Sequence, residues 1–406
     1  MKIVGLITEY NPFHNGHKYH IEKAKEITGA DYCIAVMSGD FVQRGAPAFL
    51  PKHLRAEMAL NGGCDMIIEL PVCYATGSAE YFAAGAITIL NSLGCVDSIC
   101  FGSECGDYNT LKKIAQVIAD EPHEYKMLLQ KNLKSGMNYP AARQCALDNY
   151  FNNDEISFII KEPNNILGIE YIKAMLLQNS NMKGYTITRE DSSYHDADLS
   201  VKYSSASSIR NVISNSDTSP DFTLLNNHLN TFSIDLLKNN YGIRYPIISD
   251  DFSLLLRCKL LSETRESLTK YMDVSTDLAN RIINFRNEFL SISQFTELLK
   301  TRELTYSRIS RCLMHILLNI QDCKHDTETY AHVLGFRKNS SELFSVLKKH
   351  SEIPLLTKLT ALESLNKNQH KMIKQDIYSS DLYESIVSHK FNKIFINELT
   401  KQIVKC

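Results

Sequence analysis

Residues 3–20 read IVGLITEYNPFHNGHKYH, and this stretch decides how the rest of the chain is read. Lys2–Thr8 is an apolar run of strand length. An X-Pro step and an Asn-Gly step then mark a turn. Helical spacing follows from Gly16 to Thr28, with Gly29 as a natural stop. Three of the chain's 13 histidines, His14, His17 and His20, fall in this turn. Residues three apart share a helix face, so a metal site is one reading. The Asn-Gly turn sets His14 ahead of the helix, however, and no neighbouring carboxylate or cysteine completes a familiar ligand set. Phosphate binding fits the context better. A helix N-terminus after a strand favours an anion through its amides and its dipole.

Working outward, strand and helix signals alternate through the first ~100 residues. Tyr32–Met37, Met66–Leu70 and Ser98–Phe101 are further strand runs. KHLRAEMALN, opened by Pro51 and closed by Gly62-Gly63, is a helix, and a small-residue helix covers about 78–92. Such alternation predicts a parallel sheet covered on both faces. Ligands then sit beyond the carboxyl ends of the strands, where the polar segments TEYNPFHNGH, SGDFVQRGAP and GSECGD lie. Residues 107–180 are mostly helical, and Thr186–Thr188 is one more strand. SSASSIRNVIS, residues 204–214, opens like a serine-capped helix. A polar stretch near 215–230 divides the chain. Residues 1–220 are expected to form an α/β domain and 221–406 a mostly α-helical one.

Bulk composition agrees. A chain of 406 residues is long for one core. Its 44% hydrophobic and 22% charged content matches a globular protein. No apolar run reaches the ~18 residues of a membrane span, and the first apolar stretch is too short for a signal peptide, so a cytoplasmic location without membrane attachment is expected. The 11 cysteines include no Cys-x-x-Cys pair. Cys95, Cys100 and Cys105, five apart, match no usual zinc spacing, and most cysteines read as core residues of a reduced compartment. The formal charge of −2 does not favour nucleic acid. The half after residue 210 carries a slight basic excess that permits a basic patch.

His14-Asn15-Gly16-His17 resembles the HxGH signature of the nucleotidyltransferase and class I tRNA-synthetase superfamily. Ser205-Ala206-Ser207-Ser208-Ile209-Arg210 resembles its late S-S-T-x-I-R loop at Ser205, Ile209 and Arg210, with Ser207 in the Thr place. Ala206 departs from it and removes one hydroxyl. A serine N-cap with a surface Arg is the alternative. The strings GLITEYNPFHNGHKYH, AVMSGDFVQRGAPA, IELP, FGSE, EPNNILGIEY and YHDADL run in order along nearly the whole chain. Together they resemble the bacterial tRNA(Met) cytidine acetate ligase family.

The resemblance implies a Rossmann-like nucleotidyltransferase domain with a parallel sheet, followed by a helical domain. It implies that ATP and acetate form acetyl-adenylate with release of pyrophosphate. The acetyl group then passes to N4 of the wobble cytidine, position 34, of elongator tRNA(Met), and AMP leaves. It places ATP contacts at Ile7, Thr8, Glu9, Tyr10, Asn11, Pro12, Phe13, His14, Asn15, Gly16, His17 and His20, then at Gly102, Asn164 and Arg189. Ser205 and Arg210 complete the set. His14 and His17 are the catalytic candidates, facing the phosphates, while His20 braces the helix.

Plainer readings stand beside these. Gly102 could end a strand, Asn164-Asn165 could cap a helix, and Arg189 could pair with Glu190 or Asp191. Gln43-Arg44 is a further site candidate. Tyr194-His195-Asp196-Ala197-Asp198 suggests a tuned base or a braced loop. For the RNA, Arg308 and Arg311 share one helix face in TYSRISRCLMHILL, with Arg281, Arg286, Arg302, Phe285, Phe289 and Tyr306 nearby. A solvated basic face is the alternative there. Mg2+ is compatible with ATP chemistry, although no dedicated ligand set is visible. A small-molecule nucleotidyltransferase is the second enzyme reading, and a nucleotide-responsive RNA-binding protein the third. The oligomeric state is not legible.

Overall fold

The computed structural model describes residues 1–189, 205–214, 220–321, 328–360, 362 and 365–406. The strands are β1 (Ile3–Thr8), β2 (Tyr32–Ser38), β3 (Phe41–Val42), β4 (Ala46–Pro47), β5 (Met66–Leu70), β6 (Ser98–Ser103), β7 (Lys183–Thr188), β8 (Ala331–Phe336), β9 (Leu355–Leu356) and β10 (Val404–Lys405). The main sheet runs β10-β8-β5-β2-β1-β6-β7, with β9 against β8. β1 pairs in parallel with β2 and β6, β2 with β5, and β6 with β7. Thr8 lies beside Met37, Ser38 beside Leu70 and Ser103 beside Thr188, so five carboxyl ends share one rim. The chain leaves β1 toward β2 and later returns to its other side at β6. This is the switch point where open α/β sheets bind ligands.

One face of the sheet packs on the helices Asn15–Thr28 and Lys52–Asn61 through Val4, Leu6, Ala35, Ile21 and Leu60. The other face buries Ile34, Ile68 and Ile99 against Ala79–Ser92 and Pro163–Leu177. These elements lie close to their sequence boundaries because apolar runs, Pro51 and the left-handed Gly29 (φ 63) set them locally.

The C-terminal half is mostly helical, but it also returns three short strands to the sheet. β8 is antiparallel to β5 and carries β9 and β10 in parallel. AHVLGF, residues 331–336, is an apolar run that periodicity cannot assign to helix or strand, and only the pairing edge of β5 decides it. The core on the second face continues without a break into Ile309, Leu313 and Ile316 of the helix Tyr306–Leu317.

A buried charge network fastens the C-terminal segments beneath the rim. Lys52 Nζ lies 2.7 Å and 2.9 Å from the Glu69 carboxylate oxygens, 2.8 Å from Ser380 Oγ and 2.8 Å from Glu398 Oε1. His332 Nδ1 meets Glu69 Oε2 at 2.7 Å. The Lys52 charge holds Glu69 down at about 2 despite its burial.

Candidate active site

The site is built from the loop that leaves β1. Phe13 drives its ring into the core where a Cβ on Gly62 would stand, 2.1 Å from the ring edge. Tyr10 (φ 48) is buried beside it, with the two ring centroids 5.0 Å apart. Phe49 N–H donates to Asn11 Oδ1 at 2.8 Å. Anchored in this way, the loop presents His14 as the N-cap of Asn15–Thr28.

The two histidines of the HxGH turn cap each other's backbone. Gly16 N–H donates to His14 Nδ1 at 3.1 Å, and His14 N–H donates to His17 Nδ1 at 3.3 Å. A ring nitrogen that accepts carries no proton, so each neutral imidazole is fixed as the Nε2–H tautomer. The rings stack with centroids 3.7 Å apart and planes 27° from parallel. Burial, then the Arg189 and His228 charges, push His14 down to about 3. Burial and the His14 charge likewise lower His17. The pair is therefore two neutral donors, each with Nδ1 already used. Stacked face to face, the rings do not converge on one point as metal ligands would.

The helix amides, expected to face an anion, are satisfied within the protein. Asn15 N–H donates to the His228 carbonyl at 2.8 Å, and His17 and Lys18 N–H donate to the His14 carbonyl at 2.9 Å and 3.1 Å. With Gly16 N–H held by His14, donation to a ligand passes from the backbone to the imidazoles and arginines. His20 lies in the second turn of that helix. Among the described residues its buried Nε2 has no hydrogen-bond partner, and burial with the Arg189 charge lowers His20 to about 4.

The other expected residues gather on the same rim. Arg189 lays its stem across Gly102, where a Cβ would come within 3.2 Å of its Cγ, and donates to Asn164 Oδ1 at 3.2 Å. Arg210 donates to the Asn11 carbonyl at 2.6 Å and to Ser207 Oγ at 2.9 Å. Ile7 and Thr8 end β1 there, Glu9 opens the loop that follows, and Pro12 follows a cis peptide bond. Ser205 Oγ accepts from Ser208 N–H at 3.1 Å at the start of the helix Ala206–Ser214. The motif Tyr194–Asp198 lies outside the described residues.

Three groups escaped the sequence reading. Arg55, fully buried, donates to the carbonyls of Glu9 (2.5 Å), Ser38 (3.1 Å) and Gly39, tying the first two rim loops together. In sequence it is one of several charged or polar residues of the helix KHLRAEMALN, and nothing local sets it apart. Glu104 takes Asn164 N–H at 3.1 Å, Asn164 Nδ2 at 2.6 Å and Asn165 N–H at 2.8 Å. His228, beyond residue 220, takes Asn15 N–H on its carbonyl and is buried, with Nδ1 unpartnered among the described residues. Nothing local marks it.

Arg308 and Arg311 lie one turn apart on Tyr306–Leu317, which docks against the β3–β4 hairpin. Ser310 Oγ donates to the Gly45 carbonyl at 2.7 Å. Arg281 and Arg286 are instead occupied by the carbonyls of Leu299 (3.0 Å) and Glu263 (3.4 Å).

A strand-to-helix HxGH turn at the switch point, flanked by two arginines, defines a nucleotidyl-transfer site. The family model described as HIGH Nucleotidyl Transferase matches residues 1–397. The chain is 40% identical to tRNA(Met) cytidine acetate ligase of Acetivibrio thermocellus, over 100% of both chains. It is also 40% identical to the protein of that name from Thermoanaerobacter sp., over 94% of this chain and 95% of the other. The chain belongs to the tRNA(Met) cytidine acetate ligase family. A crystal structure of Thermotoga maritima TmcAL bound with alpha-thio ATP superposes with a TM-score of 0.91 at 30% identity, covering 100% of this chain and 99% of that one. The apo form gives 0.93.

Proposed function

We infer that this chain is an ATP-dependent acetate ligase that acetylates N4 of the wobble cytidine of elongator tRNA(Met). The observation that carries this is the neutral, stacked His14–His17 pair at the switch point, in a chain alike to such ligases from end to end. In the first step an acetate oxygen attacks the α-phosphorus of ATP. The α–β bridging P–O bond breaks, and pyrophosphate leaves with the electron pair. Nε2–H of His14 and of His17 donate to phosphate oxygens as charge grows there, already oriented by their Nδ1 bonds. Arg189 and Arg210 neutralise the phosphates, and the loop Ile7–His20 with Gly102 and Asn164 seats the nucleotide. In the second step N4 attacks the acetyl carbonyl, the bond to AMP breaks, and N4 loses a proton.

Mg2+ would arrive on the nucleotide's own phosphates. Among the described residues no group of three or more His, Cys, Asp or Glu is placed to hold a metal ion. The helical region after residue 220, with Arg308 and Arg311, supplies the RNA surface. The cytoplasm, where ATP, acetate and tRNA coexist, is the expected location; among the described residues no helix is long and apolar enough to cross a membrane. The test is incubation with ATP and labelled acetate, with and without tRNA. Acetate-dependent pyrophosphate exchange and label in tRNA are expected. Absence of both would overturn the reading.

A further inference from the structure

A polar cleft of about 420 Å³ lies between the start of the helix Ala79–Ser92 and the helix Tyr306–Leu317. Tyr81, Lys270, Tyr271, Asp273 and Arg308 line it. Its size falls within the roughly 300–1,000 Å³ of small-ligand pockets. Tyr81 stands in the first turn of Ala79–Ser92, the second helix after β5, on the carboxyl-end side of that strand.

Its walls are stapled together. His315 spans two of them, with Nδ1 2.9 Å from the Met272 carbonyl and Nε2 3.0 Å from the Thr76 carbonyl. Met272 N–H donates to the Ile320 carbonyl at 3.0 Å, and Cys312 Sγ to the Asp273 carbonyl at 3.3 Å. Tyr271 is locked by its hydroxyl, which donates to Glu263 Oε1 at 2.7 Å. The cleft is preformed, and its lining mixes two cations, two tyrosine rings and one carboxylate.

The hairpin joins this cleft to the nucleotide site. Gln43 N–H donates to Glu9 Oε1 at 2.9 Å on one side. On the other, Gly45 (φ +69) lies so close to Tyr306–Leu317 that a Cβ would come within 2.3 Å of Arg311 N. Arg44, exposed at the tip, stands between the two.

We propose that the cleft takes one single-stranded nucleotide of the RNA substrate, a neighbour of the cytidine being acetylated. Arg308 and Lys270 hold its phosphate, and Tyr81 with Tyr271 flanks its base. Asp273, which would repel phosphate, accepts from a base amino group. Arg44 meets the backbone between this nucleotide and the adenylate. Unpaired bases are read by stacking and edge contacts, and their backbone by cations, which is the chemistry gathered here. The proposal rests on the ligase reading.

The test uses the full chain with Lys270→Ala/Arg308→Ala, Tyr81→Ala and Tyr81→Phe. Binding of a labelled anticodon stem-loop is measured by anisotropy across a salt series, independently of catalysis. Acetate-dependent pyrophosphate exchange and acetyl transfer to tRNA are followed in parallel. The double variant is expected to weaken stem-loop binding at least ~10-fold and to reduce the log–log salt slope by about 0.7 per lost phosphate contact. Its loss of transfer should exceed any loss of exchange by a similar factor. Tyr81→Phe should restore what Tyr81→Ala loses, because stacking needs the ring and not the hydroxyl. Wild-type binding and salt slope in the double variant would overturn the proposal, as would exchange falling in step with transfer. Wild-type protein that binds the stem-loop but acetylates nothing would count against the ligase reading instead.

Discussion

Replacing Glu104 with Ala should damage both stability and nucleotide affinity, and the geometry sets the size. The helix Pro163–Leu177 has Glu162 at its N-cap with no side-chain cap bond. The Glu104 carboxylate does that work from a distance, accepting Asn165 N–H at 2.8 Å and Asn164 N–H at 3.1 Å. Loss of a cap costs about 1 kcal/mol. Hydrogen bonds to a charged group add roughly 1.5–3 kcal/mol, with a few tenths more from the helix dipole. Glu104 is half-buried, so solvent recovers part of this and about 2–4 kcal/mol remains. The functional loss follows from the third bond. Asn164 Nδ2, 2.6 Å from Glu104, holds the amide whose Oδ1 receives Arg189. Without it the Arg189 guanidinium loses its seat, and the KM for ATP should rise about tenfold. Urea unfolding and pyrophosphate exchange at varied ATP read the two effects. Glu104→Gln, which keeps one acceptor, should fall between. An Ala variant within ~0.5 kcal/mol of wild type with an unchanged KM would refute the reasoning.

Replacing His14 or His17 with Ala removes one preset Nε2–H donor and should slow adenylate formation about 10²–10³-fold; full pyrophosphate exchange in both variants would contradict the phosphate role. Folding lowers His14 from an ordinary value near ~6.5 to about 3. Its contribution to stability is therefore complete above ~6.5 and is lost as pH falls toward 3. Imidazole ¹⁵N shifts should show His14 neutral and Nε2-protonated at pH 5, and a titration near 6.5 would disprove this. Lys52→Met removes the buried cation shared by Glu69 and Glu398, leaving His332 beside the first and Lys401 and His53 beside the second, and should cost about 3–5 kcal/mol in denaturant unfolding; a cost under 1 kcal/mol would mean that those remaining partners suffice. Burial, with the Glu69 charge, raises the Asp376 carboxyl to about 7. The folded state then holds a proton that the unfolded chain releases near ~3.9, so this contribution is greatest at low pH and lost as pH rises to 7. Asp376→Asn should flatten the stability profile between pH 4 and 7, and an unchanged slope would assign the dependence elsewhere.

The first 100 residues were legible because their signals are local. Each strand run is bounded by a Gly, Pro or Asn turn, and the HxGH turn carries its context within one strand and one helix. The sequence offered both the helix amides and the flanking histidines as anion donors, but not how the fold occupies them: Gly16 N–H is taken by His14 Nδ1 and Asn15 N–H by the His228 carbonyl. Arg281 and Arg308 look alike in sequence, but Arg281 is bound to carbonyls and Arg308 opens on a cleft.

By itself the sequence determined the parallel core of the sheet, the polar rim at the strands' carboxyl ends and the histidine turn on it. Periodicity and turn chemistry act over a few residues and need no distant partner. Only the tertiary structure decided the rest: the return of β8, β9 and β10 to the sheet, the Lys52 network beneath the rim, the Glu104 cap of a helix some 60 residues away and the joining of the hairpin to the Arg308 cleft. These depend on contacts between residues far apart in the chain, whose worth comes from burial and geometry that no local pattern records.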